Sequence, residues 1–275
     1  MSSYTIYKTL CDVVDQAYPL ESYPDNKFKK FFIDIKVKEM KSIHGRYYPD
    51  KRKIEIFNLS RPNGHIIATT LHEVAHHIDC CIRKKSDHSK PFYEIFHQLL
   101  VTAIGMGVIS KQDILTARDN TDKKWLEKYF GNIEEWDIST LDYKQDSYFI
   151  KVYQSFSIKD KLKNRGYKYS SLDQAWVKEM NVSEAEEEKQ VVSQWIEEKN
   201  IKIEQANTIK IESYYYLCVS NCYDHKAYLK ENGFMWNGYG MKKTWVKKIP
   251  SQSLKSEEAK LLKLPNIKVS VAAKK

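Results

Sequence analysis

The sequence predicts an α+β protein in three parts: an N-terminal domain over residues 1–140, then two small α+β repeats in tandem over 146–206 and 207–275. Three observations lead there. Apolar and polar residues alternate in short stretches before residue 60, helical periodicity takes over between 65 and 130, and one ordered pattern then occurs twice.

Residues 4–17 place Ile6, Leu10, Val13, Val14 and Ala17 at the spacing of a short helix. Residues 31–40 alternate through Ile33, Ile35 and Val37, as a half-buried strand does. The turn signal Tyr48-Pro49-Asp50 leads to a second strand, Ile54-Glu55-Ile56-Phe57. The loop Ser60-Arg61-Pro62-Asn63-Gly64 precedes a helix starting near His65 or Ile66, and further helices are expected over 90–104, 111–117 and 121–130.

From residue 146 the texture changes. A strand (148–152), a Leu-Lys-x-x-Gly-aromatic-x-aromatic element (Leu162 to Tyr169) and Trp176-Val177-Lys178 occur in that order. The same order returns at 215–219, Leu229 to Trp236 and Trp245-Val246-Lys247, with two more residues in the last loop. Each copy runs on into a charged helix (Glu184 to Glu198; Ser253 to Leu264) and a short strand (200–203; 266–269). The glycine of each copy suits a helix C-terminus that needs a left-handed residue. The aromatics Tyr167, Tyr169, Trp176, Phe234, Trp236 and Trp245 have two readings, as the core of a small module or as an exposed stacking platform for bases.

A 42% hydrophobic content supports a real core, and 29% charged residues keep it in water. No run of eighteen apolar residues is present, so no membrane-spanning helix is expected, and the N-terminus lacks the apolar stretch of a secretory signal; a cytoplasmic protein is expected. Cys11, Cys80, Cys81, Cys218 and Cys222 are odd in number and show no paired CxxC spacing, which argues for free thiols. The net charge of +9 is uneven: residues 207–275 hold thirteen lysines against five acids, whereas 146–206 hold ten basic and eleven acidic residues. The basic second repeat therefore favours an anionic partner, DNA foremost.

The chemistry concentrates in Leu71-His72-Glu73-Val74-Ala75-His76-His77-Ile78-Asp79. His72 and His76, four apart on a helix, project from one face and can bind one zinc ion at about 2.0–2.1 Å. Glu73 sits roughly 100° round the helix, placed to reach a water on that ion. Ile67, Leu71, Val74 and Ile78 form the opposite, core-facing stripe. A catalytic zinc needs a third protein ligand and an open position. Candidates are His88, Glu94, Asp79, His77 and His97; His88 is preferred, Glu94 on the next helix is its rival, and Asp79 suits orienting a ligand histidine.

The stretch from Lys53 to Leu100 resembles, at motif level, the SprT family, which includes the Spartan-type DNA–protein crosslink proteases. A strand runs into a helix with His-Glu-x-x-His, and a later His precedes a small residue and an aromatic that starts the next helix; here these are His72, Glu73, His76, His88, Ser89 (where the family usually has glycine) and Phe92. The resemblance implies a zincin-like metallopeptidase domain with a short antiparallel or mixed sheet and an active-site helix. It also implies Zn2+ on His72, His76 and His88, with Glu73 as catalytic base. The family's four-cysteine ribbon is missing, and the duplicated module is the candidate replacement. Its Leu-Lys-x-x-Gly pattern is similar to short tails on some exonuclease-type proteins.

The function expected is a zinc metalloprotease of the His-Glu-x-x-His type, acting on a protein substrate bound to nucleic acid. Zinc would lower the pKa of water toward about 7, Glu73 would take its proton, and Tyr93 and His77 are candidate donors to the oxyanion. The alternatives are a regulatory peptidase with one protein partner and a non-catalytic zinc-containing binding protein.

Overall fold

The computed structural model describes residues 3–20, 26–117, 120–144, 146–206, 211 and 213–272. The chain opens with α1 (Tyr4–Ala17), whose first turn is capped by the Ser3 hydroxyl accepting from the Ile6 N–H at 3.3 Å. Ile6, Leu10, Val13 and Val14 bury its apolar face. Strands β1 (Phe32–Ile35), β2 (Gly45–Tyr48) and β3 (Lys53–Ile56) then form a sheet in the order β1-β3-β2. β1 runs parallel to the central β3 (Ile33 opposite Ile54), and β2 runs antiparallel to it (Tyr47 opposite Ile54). The sheet is therefore mixed, and β2 is an outer strand.

Next come α2 (Asn63–Arg83), α3 (Lys90–Gly105), α4 (Lys111–Leu115) and α5 (Asn120–Phe130). The stripe read from sequence holds: Ile67, Leu71, Val74 and Ile78 are each at most 2% exposed. α2 begins at Asn63 rather than at His65, because Gly64 is used inside the first turn and not as a breaker. A Cβ there would meet the Asp113 carboxylate of α4 at 2.0 Å, so glycine is what lets that turn close. Asp113 is itself held by the capping box with Ser110.

The strand expected over 31–40 stops at Ile35. Beyond it the backbone is satisfied by a side chain instead of a ladder: Asn58, in the left-handed region at φ +60, bonds both the N–H and the C=O of Met40 and the C=O of Ile43. Glu39 accepts from the Ser60 hydroxyl at 2.8 Å and from the Tyr215 hydroxyl at 2.7 Å.

A four-stranded antiparallel sheet, β5-β6-β4-β7, follows, built from β4 (Ser147–Tyr153), β5 (Lys168–Ser170), β6 (Ala175–Asn181) and β7 (Ile201–Gln205), with α6 (Lys159–Asn164) and α7 (Val182–Ser193). One side carries a core of Ile150, Val152, Leu162, Tyr167 and Val192; the other carries Phe149, Ala175, Val177 and Ala206, with Tyr4 of α1 against them. The last sheet contains β8 (Tyr214–Ser220), β9 (Met235–Trp236), β10 (Trp245–Pro250) and β11 (Lys268–Ala272) in the order β11-β8-β10-β9. It is joined by α8 (Lys226–Glu231) and α9 (Leu254–Leu261). The charged helices at 184–198 and 253–264 are thus shorter than expected.

Packing divides the chain into two compact units. One holds residues 1–35, 45–56 and 63–210; the other holds 36–44, 57–62 and 211–275. Within the second, Tyr215 is fully buried, and Gln252 donates to the Leu59 carbonyl at 3.1 Å.

Both expected helix-ending glycines have left-handed backbones, Gly166 at φ +86 and Gly233 at φ +81. The bonds around them match: Gly166 N–H to Lys163 and Tyr167 N–H to Leu162; Gly233 N–H to Lys230 and Phe234 N–H to Leu229. No atom lies within 4 Å of a Cβ built at Gly166, so the conformation and not the space demands glycine. Gly166→Ala should lower unfolding free energy by about 1 kcal/mol. Urea denaturation followed by circular dichroism checks this, and an unchanged midpoint contradicts it.

Candidate metal and peptidase site

The site lies wholly within the first compact unit. His72 and His76 occupy the α2 face opposite the buried stripe, and the loop after α2 brings His88 to them. The Nε2 atoms converge: His72 to His76 at 3.2 Å and His72 to His88 at 3.1 Å. Two ligands about 2.0–2.1 Å from one tetrahedral ion stand about 3.3–3.4 Å apart, so this spacing is nearly that of a shared cation. Among the described residues these three form the one group of at least three His, Cys, Asp or Glu placed to hold a metal ion.

The outer nitrogens fix which atoms face inward. Asp122 Oδ2, on α5, lies 2.9 Å from His72 Nδ1, and Asp122 Oδ1 accepts from the Tyr93 hydroxyl at 3.0 Å. Burial alone would raise the Asp122 carboxyl, but His72, Tyr93 and His88 together hold it below the ordinary carboxylate value. A carboxylate 2.9 Å away makes Nδ1 the nitrogen suited to carry the His72 proton, and leaves Nε2 on the side of the cluster. His76 Nδ1 is 2.7 Å from the Ser86 hydroxyl. Burial, together with the neighbouring His72 and His88, pushes His76 down to about 3, so it is neutral near pH 7. Three imidazole nitrogens converging on one point suit a shared cation.

Phe92, fully buried at the start of α3, forms the floor. Its ring centre lies 4.3 Å from that of His76, 4.9 Å from His72 and 5.1 Å from His88. His88 is held from below by a chain of ion pairs. Asp79, with no exposed side chain, takes a two-pronged grip from Arg83 (2.6 Å each), and Arg83 reaches Asp87 at 2.9 Å. Asp87 in turn bonds the Ser89 hydroxyl and its backbone N–H. Arg83 and Ser89 hold the Asp87 carboxyl well below its usual range. Asp79 therefore acts on the loop that carries His88, and not on a histidine directly.

Glu73 is 7% exposed and borders β2. A Cβ at Gly45 would come within 2.6 Å of Glu73 Oε1, so any larger residue there would displace the carboxylate. Burial pushes Glu73 up to about 7, against the lowering effect of His72 and of the Tyr47 backbone. A carboxylate so poised exchanges a proton readily near neutral pH.

The other candidates fall away from the cluster. Glu94 is exposed on α3, 3.8 Å from Lys90 Nζ. His97 stacks on Phe130 with ring centres 4.1 Å apart. His77 is fully buried, with Nε2 3.1 Å from the Lys27 carbonyl and Nδ1 2.9 Å from the Tyr47 hydroxyl. Tyr93 is likewise fully buried and spends its hydroxyl on Asp122. Neither of the two proposed oxyanion donors is thus open to a substrate. Sequence reasoning missed Asp122, Gly45 and Ser86. Asp122 belongs to an amphipathic helix that gives no local sign of facing a histidine, whereas Gly45 at a strand start and Ser86 two before His88 were the available hints.

No family model, curated protein or solved structure matches the chain.

Asp122→Asn should weaken divalent-metal affinity by roughly tenfold to a hundredfold by freeing the His72 ring. Competition with a chromophoric chelator measures it, and an unchanged affinity counts against the assigned role. Glu94→Ala should leave that affinity as it is.

Proposed function

We propose that this protein is a zinc-dependent endopeptidase in which His72, His76 and His88 hold the ion and Glu73 is the catalytic base. The convergence of three imidazole Nε2 atoms beside a buried carboxylate carries this reading. A divalent ion held there would lower the pKa of water toward about 7 and polarise a carbonyl oxygen. Three neutral nitrogen ligands suit zinc. With Glu94 pointing to solvent, three ligands converge among the described residues, a number that suits a catalytic site better than a four-ligand structural one. The likeness of His72, Glu73, His76, His88 and Phe92 to the SprT pattern adds to this.

The chain's own residues supply the rest. Asp122 favours one tautomer of His72, Ser86 orients the His76 ring through its Nδ1, and the Asp79–Arg83–Asp87 chain holds the loop that carries His88. Glu73 accepts the proton of an attacking water at its carboxylate and hands it to the leaving amine. Among the described residues β2 pairs with β3 alone, so an extended peptide can lie along its outer edge beside Glu73.

The two C-terminal modules are read as tandem copies, on the basis of their repeated sequence and equal strand order. The balance of thirteen lysines to five acids in 207–275, of which Lys210, Glu212, Lys274 and Lys275 lie outside the described residues, favours proteins bound to nucleic acid as substrates.

Glu73→Gln should retain one zinc per chain and lose at least about a hundredfold in kcat/KM, the scale of a lost general base. Elemental analysis and a denatured-protein cleavage assay read the two quantities. A Glu73→Gln enzyme that cleaves like the parent defeats the mechanism, and parent protein without stoichiometric zinc defeats the site.

A further inference from the structure

Each four-stranded module buries one ring of its glycine-aromatic element and leaves others outside. Tyr167 is 1% exposed and Phe234 4%, whereas Tyr169 is 51% and Trp236 54% exposed. Just before the short helix of each module stands another ring, Phe156 at 80% and Tyr223 at 79%. Scattered exposed rings are ordinary on protein surfaces. These are not scattered. Phe156 and Tyr223, and Tyr169 and Trp236, each lie sixty-seven residues apart, the repeat distance itself, and Trp176 and Trp245 follow at sixty-nine because the second hairpin loop has two more residues.

Lysines stand beside them. Lys159 Nζ is 4.4 Å from the Phe156 ring, Lys163 Nζ is 5.7 Å from the ring of Trp176, and Trp176, half-buried against the module core, lies 5.5 Å from Tyr169. In the other module Lys226 Nζ is 3.6 Å from the Tyr223 ring, and Trp236 lies 5.9 Å from Trp245. Lys226 and Lys230 stand where Lys159 and Lys163 do. Local charge agrees with an anionic ligand: residues 156–176 hold five basic and two acidic residues, and 223–245 hold four lysines and two acids. Six of the eleven acidic residues in 146–206 lie on and after α7, where Glu188 accepts from Arg165 at 2.9 Å, and Asp160 lies 3.8 Å from Lys163 Nζ.

We propose that each module carries a strip for single-stranded nucleic acid, with bases stacking on Phe156, Tyr169 and Trp176 in one and on Tyr223, Trp236 and Trp245 in the other, and phosphates meeting the lysines between them. Ring faces accept bases only where these are unstacked, which a duplex does not offer. The helices beside the strips have six residues each, too short to read a groove. This deepens the nucleic-acid part of the function proposed above and does not depend on the zinc site.

The test uses full-length protein carrying Glu73→Gln to prevent cleavage, loaded with zinc, and fluorescein-labelled oligo(dT) or its dA·dT duplex, read by anisotropy across a salt series. The single strand should bind more tightly than the duplex. Phe156→Ala with Tyr223→Ala should weaken it by roughly five- to a hundredfold, the scale of lost base stacking, with zinc content and thermal midpoint unchanged. The aromatic exchange Phe156→Tyr with Tyr223→Phe should restore it. Lys159→Ser with Lys226→Ser should make the slope of log affinity against log salt shallower by about 1.4. Should the double alanine variant lose its thermal midpoint, Tyr169→Ser with Trp236→Ser provides the same comparison. The proposal is overturned by no binding at low salt, by duplex bound as well as single strand, or by binding that responds to the lysines and not to the rings. Zinc content and cleavage by the parent enzyme are read separately, so a failed strip leaves the peptidase reading standing, and the reverse.

Discussion

Two imidazoles one helical turn apart can share an ion only if the helix that carries them cannot roll. The Ile67, Leu71, Val74 and Ile78 stripe supplies that constraint: burying four branched side chains on one side of α2 fixes the direction of His72, Glu73 and His76 on the other. Everything else at the site is referred to this axis. β2 passes close enough to Glu73 that a side chain at position 45 would push the carboxylate aside, and Phe92 brings α3 up beneath all three rings.

Around the helix, polar groups set the orientation of each ring separately, and they come from three places. Asp122 reaches His72 from α5, Ser86 reaches His76 from the loop, and the chain Asp79–Arg83–Asp87 holds the segment on which His88 sits. Asp79 is the deepest of these, and a buried carboxylate is tolerable only because Arg83 meets both its oxygens. The same arrangement leaves His77 and Tyr93 without open donors. Their hydrogen bonds serve the fold beneath the site.

The C-terminal modules use their aromatic residues in two ways. A small sheet with two short helices needs a large ring to close its core, and Tyr167 and Phe234 do this directly after the left-handed glycine that turns the chain. Two residues further on, Tyr169 and Trp236 stand on β5 and β9, the terminal strands of their sheets, and are exposed. One sequence motif thus yields a core residue and a surface residue.

Much of this was fixed by short-range pattern. The α2 stripe, the pairing of His72 with His76 at four residues, the two left-handed glycines and the order of elements in each module follow from periodicities of 3.6 and 2 and from backbone sterics, which act within a few residues. Spacing favours His88 and keeps Glu94 as its rival, because both can be reached from α2, and it is the packing of α3 that turns Glu94 outward. Asp122 lies fifty residues from His72 in sequence, and nothing nearby in the chain signals their contact. The end of β1 at Ile35 was likewise decided by distant groups, since Asn58 captures the backbone of Met40 and segments 36–44 and 57–62 pack with residues 211–275. Local sequence determines which residues share a face, but contacts between faces depend on how the faces pack, and that is a property of the tertiary structure alone.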